Sequence, residues 1–267
     1  GKMESQWDSA ADRVLALAVE VQQIAAPTFA ERERALFVQQ RMQAENLLDV
    51  FTDEIGNVYG RLPGRQEAAP LVVSAHLDTV FPTGTPLALR QGEGTLSGPG
   101  IGDNSLGVAG LFGLGWLLCQ SGEQPGDIWL VANVGEEGLG DLRGMKAVVQ
   151  RFGASVSAYL VLEGMSLGHV YHRGLGVKRY RLAVQAPGGH SWAHYGRPSA
   201  IHHLARLVTR LDAIAVPQQP RSSLNVGVIA GGTSVNTIAA QAHLELDLRS
   251  EESATLQSLA EQVEQAR

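Results

Sequence analysis

Apolar runs of strand length punctuate the first two thirds of this chain, and each stops at a residue able to bind a metal or carry a proton. LVVSA is followed by His76 and Asp78, DIWLVANVG by Glu136 and Glu137, and VSAYLVL by Glu163, while Asp103 stands on a glycine-rich loop between them. Short continuous apolar runs read as strands covered on both faces. Helical spacing fills the intervals, so the pattern specifies an α/β fold with a central sheet. In open α/β sheets, sites collect outside the carboxyl ends of the strands, where residues distant in sequence meet at one rim.

The alternation runs to about residue 171. Apolar spacing predicts a helix over Asp8–Ala26 and a second that starts at Thr28 and runs through Glu31 to Asn46, with Glu31 and Glu33 in its first turn, where the dipole favours them. Strands follow at Leu48–Thr52, Asn57–Arg61 and Leu71–Ala75. A turn-rich stretch from Pro82 to Gly102 leads to a helix over Ser105–Cys119, whose glycines at 107, 110, 113 and 115 imply close packing on the sheet. The strand Ile128–Val134, a helix over Leu142–Phe152 and the strand Val156–Leu162 complete a three-layer α/β/α arrangement. Beyond residue 173 the grammar changes to strand, helix, strand, strand, helix: a strand alternating through Val177, Tyr180, Leu182 and Val184, a helix opened by Pro198, strands Leu224–Ile229 and His243–Leu248, and a helix capped by Ser250. That order reads as a smaller α+β domain, a split βαβ sandwich without its last strand. The expected division is 1–172 and 173–267.

A length of 267 residues accommodates two such domains. The formal charge of −6 offers no basic stripe for a phosphate backbone, which argues against nucleic-acid binding. Cys119, the one cysteine, lies in LFGLGWLLC and reads as a buried packing residue, so no internal disulfide framework is possible and a reducing cytoplasm fits best. The N-terminal apolar stretch is interrupted by Glu20, Gln22 and Gln23; it reads as an amphipathic helix, with no secretory or membrane-spanning segment expected.

Residues two apart on a strand share a face, so His76 and Asp78 point together if the extended geometry continues that far. A metal-binding imidazole normally donates its second N–H to a carboxylate or carbonyl, a task open to Asp78. A loop histidine beside a capping aspartate is the bland alternative. Asp103, before a helix, reads equally as an N-cap or as a carboxylate placed between two cations; Pro99 and the spacing of Gly98, Gly100 and Gly102 do not fit a dinucleotide fingerprint. Glu136 and Glu137, as neighbours, are expected to point in opposite directions, and their mutual repulsion calls for nearby positive charge.

Together, His76-x-Asp78, GPGIGDN at 98–104, GEEG at 135–138 and LEG at 162–164 resemble the zinc aminoacylase and carboxypeptidase family, which includes peptidase T, acetylornithine deacetylase, succinyl-diaminopimelate desuccinylase and glutamate carboxypeptidase. The resemblance implies a zinc-exopeptidase-like catalytic domain with a lid or dimerisation domain, two Zn2+ ions per site, with Co2+ or Mn2+ as substitutes, and hydrolysis of amide bonds in small peptides or N-acyl amino acids. His76 and Glu163 would hold one metal, Glu137 the other, with Asp103 bridging and Asp78 behind His76. Glu136 would be the general base. The family's pattern also implies a non-proline cis peptide at Asp103-Asn104, an oxyanion-stabilising role for His190 in GGHSW, substrate contacts from Asn236 and Arg249, and a homodimer formed through the lid.

One departure stands beside the match. The family returns from the lid to the catalytic domain with a histidine that completes the second zinc site, whereas no histidine follows His243. Two expectations therefore stand open: a two-metal peptidase or deacylase whose remaining segment is supplied elsewhere, or a catalytically silent chain binding at most one metal at His76, Asp103 and Glu163. The GPGIGDNSLG and GGHSW segments lean toward peptidase T-like members, hence toward small peptides.

Overall fold

The computed structural model describes residues 2–121, 124–164 and 167–267, the side chains of 2–7 and 120–121 aside. Its contacts divide the chain into two compact units, Gly1–His169 and Val170–Arg267. Unit 1 contains α1 (Lys2–Gln22), α2 (Arg32–Ala44), β1 (Leu48–Thr52), β2 (Val58–Leu62), β3 (Leu71–His76), β4 (Arg90–Gly92), β5 (Thr95–Ser97), α3 (Leu106–Ser121), β6 (Ile128–Asn133), α4 (Arg143–Phe152) and β7 (Ala158–Val161). The five-stranded sheet has the order β1-β2-β6-β3-β7. Its β3 is parallel to both β6 and β7, and β2 is antiparallel to β1 and β6.

The period of two along each strand divides the core. Val58, Leu62, Val73, Ala75, Leu130 and Ala132 pack on one face against Leu17, Ala18, Val21, Val38, Met42, Val108 and Leu111 from α1, α2 and α3. Tyr59, Val72 and Val131 face the other way, against Val148, Met145 and Phe152 of α4. This is the three-layer α/β/α arrangement the sequence predicts. By length and hydropathy Ile101–Cys119 could cross a bilayer, yet half of it is buried inside the unit. Val108, Ala109, Leu111, Phe112 and Trp116 belong to the core, so its apolarity serves packing.

Several predicted boundaries move. The second helix begins at Arg32, because Pro27 pairs with Thr79 and Phe29 adopts a positive φ of 74°, leaving 27–31 as a connecting segment alongside the end of β3. The stretch 82–102 contains the β4–β5 hairpin, and Ile101–Ser105 forms a wide turn ahead of α3. Among the α3 glycines, Gly110 and Gly115 approach Leu162 and Leu130, but Gly113 approaches Val14 of α1, so close packing is shared between the sheet and a helix. Cys119 is exposed, contrary to expectation, because it lies in the last turn of α3, past the buried stretch that ends at Trp116.

Unit 2 contains β8 (Gly176–Gln185), β9 (Gly189–His190), α5 (Ala200–Asp212), β10 (Ser222–Gly231), β11 (Thr237–Ile238), β12 (Gln241–Ser250) and α6 (Ser253–Ala266). An antiparallel sheet of order β10-β12-β8 carries Leu182, Leu244, Leu246 and Leu248 against Leu204, Leu207 and Leu211 of α5 and Leu256, Leu259 and Val263 of α6. The result is a two-layer α+β unit. Pro198 precedes α5 by two residues instead of opening it. Ser250 ends β12 instead of capping α6: its Oγ accepts from Ser222 Oγ at 2.9 Å and from Glu252 N at 3.2 Å.

Candidate metal centre

The carboxyl end of β3 delivers His76, 1 % exposed, and Asp78, fully buried, to the rim of the sheet. His76 Nδ1 lies 2.9 Å from the backbone carbonyl oxygen of Asp78 and 3.5 Å from its carboxylate. The carbonyl is the nearer acceptor, so Nδ1 carries a proton and Nε2 is the atom that faces the cluster. Nε2 lies 2.9 Å from Asp103 Oδ1 and 3.3 Å from Glu163 Oε1.

Asp78 does more than sit behind His76. Its Oδ1 accepts from Glu136 N at 2.9 Å, and its Oδ2 from Glu137 N at 3.0 Å and from Thr28 Oγ1 at 2.9 Å. The same carboxylate therefore fixes the turn that carries Glu136 and Glu137. These neighbours do not diverge as strand alternation predicts. Both approach His76, with one ligand atom from each of the three residues within 4.8 Å of the others. The strand stops at Asn133, and Gly135, with φ 60°, turns the backbone before the two glutamates, which removes the alternation.

His76, Asp103 and Glu163 form a second group by the same criterion. Asp103 precedes a non-proline cis peptide to Asn104. It is Asn104, and not Asp103, that caps the coming helix, accepting from Gly107 N at 3.1 Å through Oδ1 and donating from Nδ2 to Leu162 O at 2.8 Å. Asp103 is thus spared a capping role, and Asn104 ties its loop to the strand end that bears Glu163. Gly164 makes the approach possible: a Cβ there would lie 2.5 Å from Gly102 O.

Five carboxylates (Asp78, Asp103, Glu136, Glu137 and Glu163) surround one imidazole, and the charges answer that imbalance. Burial pushes Glu137 up to about 7, reinforced by the charges of Asp103 and Glu136. Burial also raises Glu136, opposed by His76 and aided by Glu163, Asp78 and Asp103. For His76, burial alone would lower the value, but Asp78 and Glu163 outweigh it and raise it to about 11. Asp78 is held near 2 because its hydrogen bonds from His76, Glu136, Glu137 and Thr28 overcome its burial. Burial would raise Glu163, but its hydrogen bond and attraction to His76 leave it lowered. The carboxylates around His76 thus favour its imidazolium form. Mixed imidazole and carboxylate donors suit Zn2+, Co2+ or Mn2+.

The sequence reading missed a supporting group beneath the site. Arg34, 1 % exposed, is lowered to about 10 by burial against the raising charge of Asp78, and Glu31 is also buried. The available signal was the position of Arg34 four residues before Val38 and eight before Met42, on the apolar face of α2.

In unit 2 the structure brings two of the three predicted residues together. His190 pairs with Thr237, and Ser191 N donates to Asn236 O at 2.9 Å. His190 Nδ1 accepts from Trp192 N at 3.2 Å, and Asn236 Oδ1 accepts from Ser234 Oγ. Arg249 lies toward the other end of β12, eight residues beyond Gln241 or about 25 Å along the strand, and donates to Asp247 Oδ2 at 2.7 Å.

A three-layer α/β unit with an acidic, histidine-containing rim, joined to an α+β unit, is the architecture of metal-dependent exopeptidases and amidohydrolases. Comparison with known proteins gives the family. Residues 57–173 match peptidase family M28, and residues 173–267 match the peptidase dimerisation domain of the M20 peptidases. A Schizosaccharomyces pombe peptidase M20 domain-containing protein is 32% identical over 216 residues, 77% of this chain and 51% of that protein. Bacillus subtilis YqjE is 22% identical over 78% of this chain and 56% of its own length. The fold is that of the Bacillus cereus aminopeptidase PepT, with a TM-score of 0.71 at 19% identity, covering 96% of this chain and 70% of that one. It is also that of Bacillus subtilis YXEP, a dinuclear metal binding peptidase, with a TM-score of 0.66 at 14% identity, covering 97% and 69%. These matches place the chain in the zinc exopeptidase family that its motifs resemble, with an M20 relative and an M20-type dimerisation domain. It spans about half the length of the curated relatives it matches.

Proposed function

We propose that the protein is a two-metal hydrolase of small peptides or N-acyl amino acids, with zinc as the metal and cobalt or manganese as substitutes. One observation carries the reading: His76 is anchored through Nδ1 and turns Nε2 toward Asp103 and Glu163 at 2.9 and 3.3 Å, so that the three would offer their donor atoms to one cation. His76, Asp103 and Glu163 would hold one ion, and Asp103 with Glu137 would hold the other. When bound, such ions polarise the scissile carbonyl and lower the pKa of the attacking water. Glu136, raised by burial, takes the proton of that water on its carboxylate and passes it to the leaving nitrogen. Asp78 holds the backbone of Glu136 in place for this transfer. His190, with Nδ1 occupied as an acceptor, presents Nε2–H as a donor for the oxyanion. Asn236 and Arg249 contact substrate, and unit 2 is the dimer contact.

A second reading has its own support. The two groups of candidate ligands among the described residues share His76, which supports a single-metal site as the alternative. Loading the chain with Zn2+, counting bound metal and screening di- and tripeptides against N-acetyl and N-succinyl amino acids separates the possibilities. The expected result is two equivalents and turnover, with Glu136→Gln lowering kcat about 10²–10⁴-fold at unchanged metal content. One equivalent without turnover selects the silent chain. Preference for acylated amino acids selects a deacylase of the acetylornithine or succinyl-diaminopimelate type over a peptidase. An unaffected Glu136→Gln variant removes the proposed base.

A further inference from the structure

The candidate ligands at the ends of β3 and β6 are more than fifty residues apart in sequence, and a third segment lies beneath both. Arg34 donates from Nη1 to Leu77 O at 2.8 Å and from Nε and Nη2 to Ile24 O at 2.9 and 2.6 Å. Leu77 is the residue between His76 and Asp78. Thr28 Oγ1 donates to the Asp78 carboxylate that also receives Glu136 N and Glu137 N. Glu31 Oε1 accepts from Gly135 N at 3.1 Å, directly before the two glutamates, and from Phe29 N at 3.0 Å, while Oε2 lies 3.5 Å from Arg143 Nη2.

These contacts are not what helix formation alone demands. Glu31 occupies the N-cap position of α2 but makes no side-chain capping bond, and its oxygens turn toward another loop. Thr28 likewise directs its hydroxyl to Asp78, two residues beyond β3. A buried guanidinium is costly to desolvate, and apolar residues of similar volume are often at least as stabilising. Yet all three hydrogen bonds of Arg34 go to backbone carbonyls, one of them inside the His76–Asp78 segment.

We infer that Arg34, Glu31 and Thr28 are positioning residues, which set the spacing between the His76–Asp78 segment and the Glu136–Glu137 turn. The inference rests on reading that site as a metal centre and adds a residue set outside its ligands. Substituting any of them shifts the ligands without removing one. Thr28→Val is isosteric and deletes only the hydroxyl, Thr28→Ser restores it, and Arg34→Lys keeps the charge while losing the fork that joins Leu77 to Ile24.

The test is a Co2+ titration of the complete chain, read by its visible ligand-field absorption, together with amide hydrogen exchange in the metal-free protein. Thr28→Val and Arg34→Lys are expected to weaken Co2+ binding about tenfold, the lower end of the range for partners outside the ligand set, and to alter the band shape. Thr28→Ser is expected to recover both. The Glu136 and Glu137 amides should exchange about tenfold faster in Thr28→Val, with those of β2 and β6 unchanged. Unaltered affinity, spectrum and exchange in both variants overturn the inference, as does a Thr28→Ser variant no better than Thr28→Val. If the unaltered chain takes up no Co2+, the metal-centre reading fails, and the exchange rates alone then decide the positioning role.

Discussion

His76 and His190 belong to the same family pattern, but their surroundings prepare opposite chemistry. His76 is buried, and its Nδ1 faces a carbonyl oxygen, which directs Nε2 to the acidic cluster. His190 is exposed, and its Nδ1 accepts from Trp192 N at 3.2 Å and more weakly from Ala193 N at 3.4 Å, so the neutral ring keeps its proton on Nε2. Its own N–H donates to His194 Nδ1 at 3.0 Å, which anchors the segment. A carbonyl at one Nδ1 leaves the Nε2 of His76 to face carboxylates, where a metal would displace its proton, and amide donors at the other leave His190 a donor through Nε2. The residue type is shared; the local backbone assigns the role.

The largest expected effects test that contrast directly. His76→Ala should weaken Zn2+ binding by more than about 100-fold, past the range for a partner outside the ligand set, measured by competition with a chromogenic chelator. His190→Ala should leave the affinity unchanged and lower turnover about 10²-fold, the usual cost of losing one oxyanion donor. Equal loss of metal in both variants would break the distinction.

Proton release sharpens it. With His76 at about 11 and Glu137 at about 7 in the metal-free chain, metal uptake at pH 7 should expel about one proton or slightly more, and affinity should fall as pH falls. Calorimetric titrations in two buffers of different ionisation enthalpy count the protons; a count of zero contradicts the protonated His76. His190 gives no such signal, since it is not a ligand in the proposed site.

Asp78 gives a smaller effect, on stability. Its folded value near 2 lies below the ordinary 3.8, so its contribution is present above about pH 4 and lost as pH falls toward 2. The expected loss is on the order of 2 kcal/mol in the metal-free protein. Acid unfolding followed by circular dichroism should show it, and Asp78→Asn should flatten the curve in that window. The smallest effect belongs to Arg249, part of a partly exposed pair with Asp247 that also takes Arg179 at 3.0 Å. Arg249→Ala should change stability by less than about 1 kcal/mol, so a large rise in KM without a fall in Tm would mark it as a substrate contact.

Much of unit 1 was legible because its signals are local. β1 appears where its apolar run lies, and β2, β3 and β6 shift by only a residue or so at their ends. The order of the four acidic and histidine motifs identified the family. What local pattern could not convey was direction past the strand ends. Glu136 and Glu137 converge because Gly135 turns the chain, and Asp103 escapes the capping role because Asn104 assumes it. The Thr28–Arg34 segment reads locally as the start of an ordinary helix, since its partners at the site, Leu77, Asp78 and Gly135, lie more than forty residues away.

The sequence by itself determined the alternation of apolar strands and amphipathic helices, the acidic and histidine inventory at the strand ends, and the change of grammar near residue 173, because each is set by spacing along the chain. Tertiary structure alone decided which nitrogen of each histidine faces outward, that Asp78 clamps the turn carrying both glutamates, and that a buried arginine of α2 and a buried glutamate just ahead of it support the site from below. Those depend on hydrogen bonds between segments that only folding brings within 3 Å or so of each other, where direction and burial, not residue type, set the chemistry.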